Sequence, residues 1–263
     1  MNAKSLYLEG GDTKVRLDGP ALKVLTPTRA AGWFPLRRVS RVVSARQVDW
    51  ALDALLACTG AGITVQFVDN DGTTVARCLG PHPMDPVAIE SRLELLWQYE
   101  DGISRYEDWR RAMERMAVRS VLRRAGLVPA LPPRPRELRQ CFFRAAREAG
   151  QSESYRYIGA LARSALSSLV GQHWMDVGVD VEECAIHGVD LVADCTAILF
   201  WDLELPRAAW LEERLAKGWG GEVPTRREIF TFFEQRQPRL KRLLRGLTRR
   251  FHHWLIEMAN HAD

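Results

Sequence analysis

The chain has 263 residues, 46% of them hydrophobic, enough to bury a core in one large domain or two small ones. Its 37 Lys and Arg against 33 Asp and Glu leave a net charge of +4 and a pI near 8.9, permissive for nucleic acid without singling it out. Cysteine spacing indicates neither a zinc site nor a disulfide framework, no phosphate-binding loop motif argues for an NTPase, and no signal peptide or apolar run of membrane-spanning length appears, so a soluble, cytoplasmic protein with no membrane partner is expected.

Taken in chain order, residues 1–80 read as strands. Ser5–Leu8 and Lys14–Leu17 alternate in polarity around the turn Gly10-Gly11-Asp12, and Asp18-Gly19 leads into Leu22–Leu25. Val39–Val43 is a further strand. Ser44 then reads as the cap of a short helix carrying Val48, Leu52, Leu55 and Leu56, closed by Gly60 and Gly62. Ile63–Phe67, the turn 69–72 and Thr73–Ala76 complete a hairpin. The expectation is a small, mostly antiparallel β-domain.

Gly80-Pro81-His82-Pro83 reads as a linker, and 81–263 as a larger all-α domain, giving an α+β chain. Asp85-Pro86 starts a helix to about Tyr99. Ser104-Arg105-Tyr106-Glu107 has the form of a capping box opening a helix to Gly126. After a proline-rich connection at 131–135, helices are expected near 136–149, 154–177, 206–217, 225–235 and 238–260. Ile198–Trp201 is the one strand-like run in this half.

Two arginine stripes stand out. On the last helix, Leu240, Leu243, Leu244, Leu247, Phe251, Trp254, Leu255 and Met258 share one face, and Arg242, Arg245 and Arg249 the opposite one. A second stripe lies on the helix holding Arg110, Arg111, Arg115, Arg119, Arg123 and Arg124. Either can be a solvated face or a contact to the DNA backbone. Trp109, Trp174, Trp201, Trp210, Trp219 and Trp254 are expected in the core rather than as base-stacking platforms.

His187 and Asp202 are each displayed at the end of an apolar segment. Such a pair can share one divalent metal on rigid supports, the arrangement phosphodiester chemistry needs. The plainer readings are a histidine bonded at a helix–loop junction and an aspartate capping the helix at Pro206. Asp194 lies nearer His187 in sequence and is the alternative ligand.

These segments resemble the CRISPR spacer-acquisition integrases. The hairpin Gly62–Gly72 is similar to that family's glycine, apolar strand, acidic turn and glycine. Gly178–His187 matches the length of its Gly-Leu-Asp-Pro to Gly-Phe-Leu-His pattern, with Val181 for proline and Cys184 for glycine. Asp202–Arg207 is similar to its acidic segment ending in Pro-Phe-Arg, one residue shorter and with Leu205 where a second carboxylate is usual. The family's glutamate aligns with Glu114, which has Arg119 five residues on, or with Phe142, which would leave a damaged site.

The resemblance implies a metal-dependent DNA endonuclease and integrase that inserts spacer DNA into a repeat. Mg²⁺ or Mn²⁺ would be held by Glu114, His187 and Asp202, with Asp194 in reserve. Duplex DNA would lie against Arg119, Arg123, Arg242, Arg245 and Arg249. A homodimer through the β-domain and a small ferredoxin-like adaptation partner are also implied. The alternative is a catalytically degenerate homologue serving as a DNA-binding or scaffolding subunit.

Overall fold

The computed structural model describes residues 4–27, 29–79, 89–127, 133–219 and 222–260. The chain divides into two compact units, Met1–Asp85 with Ser164–Asp180, and Pro86–Arg163 with Val181–Asp263. The expected linker at 80–83 and the Asp85-Pro86 helix start lie outside the described residues.

The first unit holds two four-stranded sheets. One runs β1 (Lys4–Leu8), β5 (Val39–Ala45), β7 (Thr64–Val68), β8 (Thr74–Cys78); the other runs β4 (Arg29–Pro35), β3 (Ala21–Thr26), β2 (Lys14–Asp18), β6 (Asp49–Trp50). The β2–β3 hairpin is antiparallel as the turn chemistry implies, with Gly19 at φ +56° between Asp18 and its partner Ala21. In the first sheet, however, β1–β5 and β5–β7 are parallel and only β7–β8 is antiparallel. The expectation of mostly antiparallel pairing fails there because Gly10-Gly11-Asp12 sends the chain from one sheet to the other instead of closing a hairpin.

Two further expectations are corrected. Ser44 does not cap a helix; it sits buried in β5, where it accepts a 3.0 Å hydrogen bond from Trp50 Nε1. β5 runs through Val42, Val43 and Ala45, all buried between β1 and β7, and the helix α1 begins only at Leu52 and ends at Gly60. Strand β4 carries no sequence signal, since its residues are exposed or half-buried. Leu6, Val15, Leu22, Val42, Cys58 and Val65 form the centre of this unit's core.

The second unit is helical: α2 (Glu90–Gln98), α3 (Gly102–Arg124), α4 (Pro135–Glu148), the first half of α5 (Ser152–Val177), α6 (Val181–Ile186), α7 (Leu191–Ala216) and α8 (Arg226–Asn260). α3 starts at Gly102, not at the Ser104 box, and a Cβ there would strike the backbone carbonyl of Leu96. At the start of α8, Thr225-Arg226-Arg227-Glu228 forms a capping box: Glu228 Oε2 accepts from Thr225 N and Oγ1 at 2.8 Å each, and Glu228 N donates back to Thr225 Oγ1.

The larger departure concerns α7. No strand forms at Ile198–Trp201 and no helix begins at Pro206. One 26-residue helix runs through both, capped at its start by Asp190, whose Oδ1 accepts from Ala193 N at 2.8 Å. Ile198, Leu199, Phe200 and Trp201 are all buried, so this turn of the helix is apolar around its circumference and its period is hidden. α8 likewise continues through Pro238. Trp201 packs with Val118, Val121, Leu122 and Leu138. Tyr106, Trp109, Phe251 and Trp254 form an aromatic cluster between α3 and α8, with Trp109 and Phe251 centroids 4.9 Å apart. No described helix is long and apolar enough to cross a membrane.

Candidate nucleic-acid interface

Helices α3, α7 and α8 enclose a groove of about 810 Å³. Its floor is apolar, with Met113, Leu122, Ile198, Leu199, Leu243 and Leu247. Its rim is cationic: Arg119, Arg123 and Arg124 from α3 face Arg242 and Arg250 from α8. The helical period explains this. Arg115, Arg119 and Arg123 repeat every four residues along the exposed side of α3, while Val118, Val121 and Leu122 turn into the core. On α8, Leu240, Leu244, Leu247 and Phe251 are buried, whereas Leu243 is 37% exposed over the groove.

Of the expected DNA-contacting arginines, the structure places Arg119, Arg123 and Arg242 on the groove, with Arg245 and Arg249 exposed further along α8. None of these five pairs with a carboxylate among the described residues. Unpaired guanidiniums on facing helices present forks to phosphate at little desolvation cost.

Asp202, the one carboxylate among the described residues of the groove, is neutralised. Its Oδ2 accepts from Arg239 Nε at 2.8 Å, and its Oδ1 from Arg239 Nη2 at 2.9 Å, with Arg124 Nη1 also 2.9 Å from Oδ1. Burial lowers the pKa of Arg124, opposed by the charge of Asp202, while the hydrogen bond to Asp202 raises that of Arg239. Asp202 lies in mid-helix and caps nothing.

The other expected ligands are each engaged with partners of their own. Glu114 Oε1 accepts from Arg139 Nη2 at 2.7 Å and from Trp201 Nε1 at 3.1 Å, and Arg139 covers the Trp201 ring at 4.6 Å. Asp194 accepts from the Tyr106 hydroxyl at 2.8 Å, with Arg110 Nε at 3.6 Å; burial raises its pKa against both partners. His187 follows α6, exposed, and stacks on Trp97 at 4.8 Å with the rings 9° from parallel.

A divalent ion needs several oxygen or imidazole ligands converging at about 2.0–2.6 Å. Among the described residues no three His, Cys, Asp or Glu side chains are so placed. Both oxygens of Asp202 already face guanidinium, so this arrangement does not fit a metal ion.

Sequence reasoning misses the residues that hold these acids: Arg124 reads only as part of a stripe, and nothing local marks Arg139 or Arg239 as an ion-pair partner. It also passes over Glu204, buried at 3% exposure, which accepts from Tyr155 Oη at 2.7 Å and from Arg207 Nη2 at 2.5 Å. The spacing Glu204 to Arg207, i to i+3 on a helix, is the available signal. Trp109, Trp174 and Trp201 are buried as expected; Trp219, 48% exposed, is not.

Residues 6–109 match the family model described as CRISPR associated protein Cas1. No curated protein matches the sequence. Among solved structures, a CAS1 protein from Thermotoga maritima superposes with a TM-score of 0.73 at 11% identity, over 96% of this chain and 97% of that one. TtCas1 in its DNA complex gives 0.65 at 14%, over 94% and 91%. A casposase bound to integration product gives 0.57 at 12%, over 89% and 82%. At such identities these superpositions establish the fold. Residues 6–109 are thus similar in sequence to the Cas1 family, and the chain as a whole has the fold of the Cas1 structures.

Proposed function

We propose that this chain serves CRISPR spacer acquisition as a DNA-binding subunit, holding duplex DNA by its phosphates in the groove between α3 and α8. One observation carries the reading. Among the described residues five arginines line that groove, and the single carboxylate among them is already paired with two guanidiniums, Arg124 and Arg239. The surface is therefore cationic towards a polyanion. The DNA complex of TtCas1, of the same fold, accords with it.

In this reading the chain acts in the cytoplasm as a homodimer, together with the small ferredoxin-like adaptation partner that the family resemblance implies. A dimer through the strand-rich unit is supported by Trp33 and Phe34 on the edge strand β4, which are 55% and 36% exposed. An exposed aromatic edge strand calls for a covering surface.

DNA-end joining is the second reading, favoured by the exposed His187 at the spacing the integrase resemblance requires. For it, Asp202 would have to be free of Arg124 and Arg239 before it could serve with His187 and Glu114 towards the Mg²⁺ or Mn²⁺ that the resemblance implies. One assay separates the two. Duplex binding and joining of a labelled end to a repeat-containing target are measured on the same protein, with the adaptation partner and Mn²⁺ present. Salt-sensitive binding without joining supports the binding subunit. Joining that disappears in His187→Ala and Asp202→Ala establishes the integrase, and absence of binding removes both.

A further inference from the structure

We propose that the cleft where α7 meets α8 is a stacking site for an unpaired base of single-stranded nucleic acid, separate from the groove. The proposal rests on the reading of the chain as a DNA-binding protein. The cleft, about 410 Å³, is lined by Trp210, Arg214, Trp219, Arg227, Phe232 and Arg236, among others, a size in the range of small-ligand pockets.

Its side chains form a run of stacked rings and cations. Arg214 lies 5.3 Å from the Trp219 centroid and 5.6 Å from that of Trp210; Trp210 stacks on Phe232 at 5.0 Å and 24°; Arg236 covers Phe232 at 3.8 Å. The stack is anchored at its middle. Arg214, only 5% exposed, donates to Glu228 Oε1 at 2.8 Å, and Glu228 is itself fixed by the Thr225 capping box. Trp219 thus ends a rigid column, with one side on a buried guanidinium and almost half its surface in water.

A large aromatic left exposed but held in place loses little conformational freedom when a second ring stacks on it. Every nucleobase offers such a face, and stacking on aromatics beside cations is how single strands are held without sequence preference. Arg227, exposed and without a described carboxylate partner, supplies a fork for the adjoining phosphate, and the exposed amide of Gln235 lies on the same cleft. Glu213 is occupied by Lys217 at 2.5 Å and Glu228 by Arg214, so the two acids lining the cleft are neutralised.

Fluorescence anisotropy of full-length protein tests this with a labelled twelve-nucleotide oligothymidylate and, separately, a blunt duplex. Trp219→Ala should weaken the single strand ~10-fold, the scale of one base stack, and Trp219→Phe should restore most of it. Duplex affinity should stay within about twofold, since the groove lies elsewhere on the helices. Arg227→Glu should weaken the single strand and flatten its salt slope by roughly 0.7, the share of one phosphate. Unchanged single-strand affinity in Trp219→Ala overturns the proposal, as does equal weakening of both DNAs. Thymidine monophosphate binding as tightly as the oligomer would overturn it in favour of a free-nucleotide site. Charge reversal at Arg119, Arg123 and Arg242 tests the groove reading instead: loss of duplex binding there, with the Trp219 effect intact, keeps the two sites distinct. Absence of any DNA binding overturns both.

Discussion

Asp202 of α7 and Arg239 of α8 form a two-pronged pair, Oδ2 to Nε at 2.8 Å and Oδ1 to Nη2 at 2.9 Å. The pair forms one residue beyond Pro238, and Pro206 lacks the N–H that would otherwise bond the carbonyl of Asp202. Both prolines thus sit beside the same ion pair, and Arg124 from the end of α3 completes the tie.

Removing the acid strands two guanidiniums, while removing Arg239 leaves Asp202 with Arg124. Asp202→Ala should therefore cost about 2 kcal/mol, less than a fully buried pair because the Arg239 side chain is 46% exposed, and Arg239→Ala about half that. Urea midpoints at constant slope measure both. Equal costs, or a larger one for Arg239→Ala, would deny Arg124 its part in the tie.

Asp194 supplies a pH dependence. Burial raises its pKa above the ordinary carboxylate value, outweighing the Tyr106 hydroxyl and Arg110 that oppose it, while Asp190 and Glu107 add to the rise. The folded state therefore holds the proton more tightly than the unfolded state does. The stability from this group is fully present below about pH 4 and is lost as pH rises through the raised value. Asp194→Asn, which keeps an acceptor for Tyr106, should flatten that part of the stability–pH curve and leave the protein more stable at pH 7. A neutral-pH loss of stability in this variant would mean that the ionised pairing with Arg110 dominates.

Gly159 on α5 faces Arg207, whose guanidinium lies over the Tyr155 ring at 3.6 Å and bonds Glu204. A Cβ at 159 would overlap Arg207 Nη1, and that group is held on several sides. Gly159→Ala should cost about 1–3 kcal/mol despite the better helix propensity of alanine. A melting temperature at or above that of the parent would show that Arg207 has room to move.

For the proposed dimer, light scattering on the full-length chain should give twice the 29.9 kDa chain mass at micromolar concentration. Replacing both Trp33 and Phe34 with Ser should shift it to monomer. A monomeric parent removes the proposal.

Much of this fold is legible in the sequence. Asp18-Gly19 places a hairpin because glycine reaches φ +56° at no steric cost, and Thr225 with Glu228 places the start of α8. The arginine stripes are readable from helical spacing alone. What is not legible depends on burial. Ile198–Trp201 shows no helical period because that turn of the helix is buried on all sides, and Pro206 and Pro238 read as breaks that packing overrides. The candidate acids are visible as residues, but their partners are not. Arg239 lies 37 positions from Asp202 and Arg139 lies 25 from Glu114, distances over which no local pattern reports.

The most direct test of the groove is the salt dependence of duplex binding. For the parent, log K should fall linearly with log salt. Charge reversal at Arg119, Arg123 and Arg242 together should reduce that slope by roughly 0.9 for each phosphate no longer neutralised, about 2.7 for all three. A slope unchanged by the triple reversal, with affinity retained, would contradict the account and place the DNA on another surface.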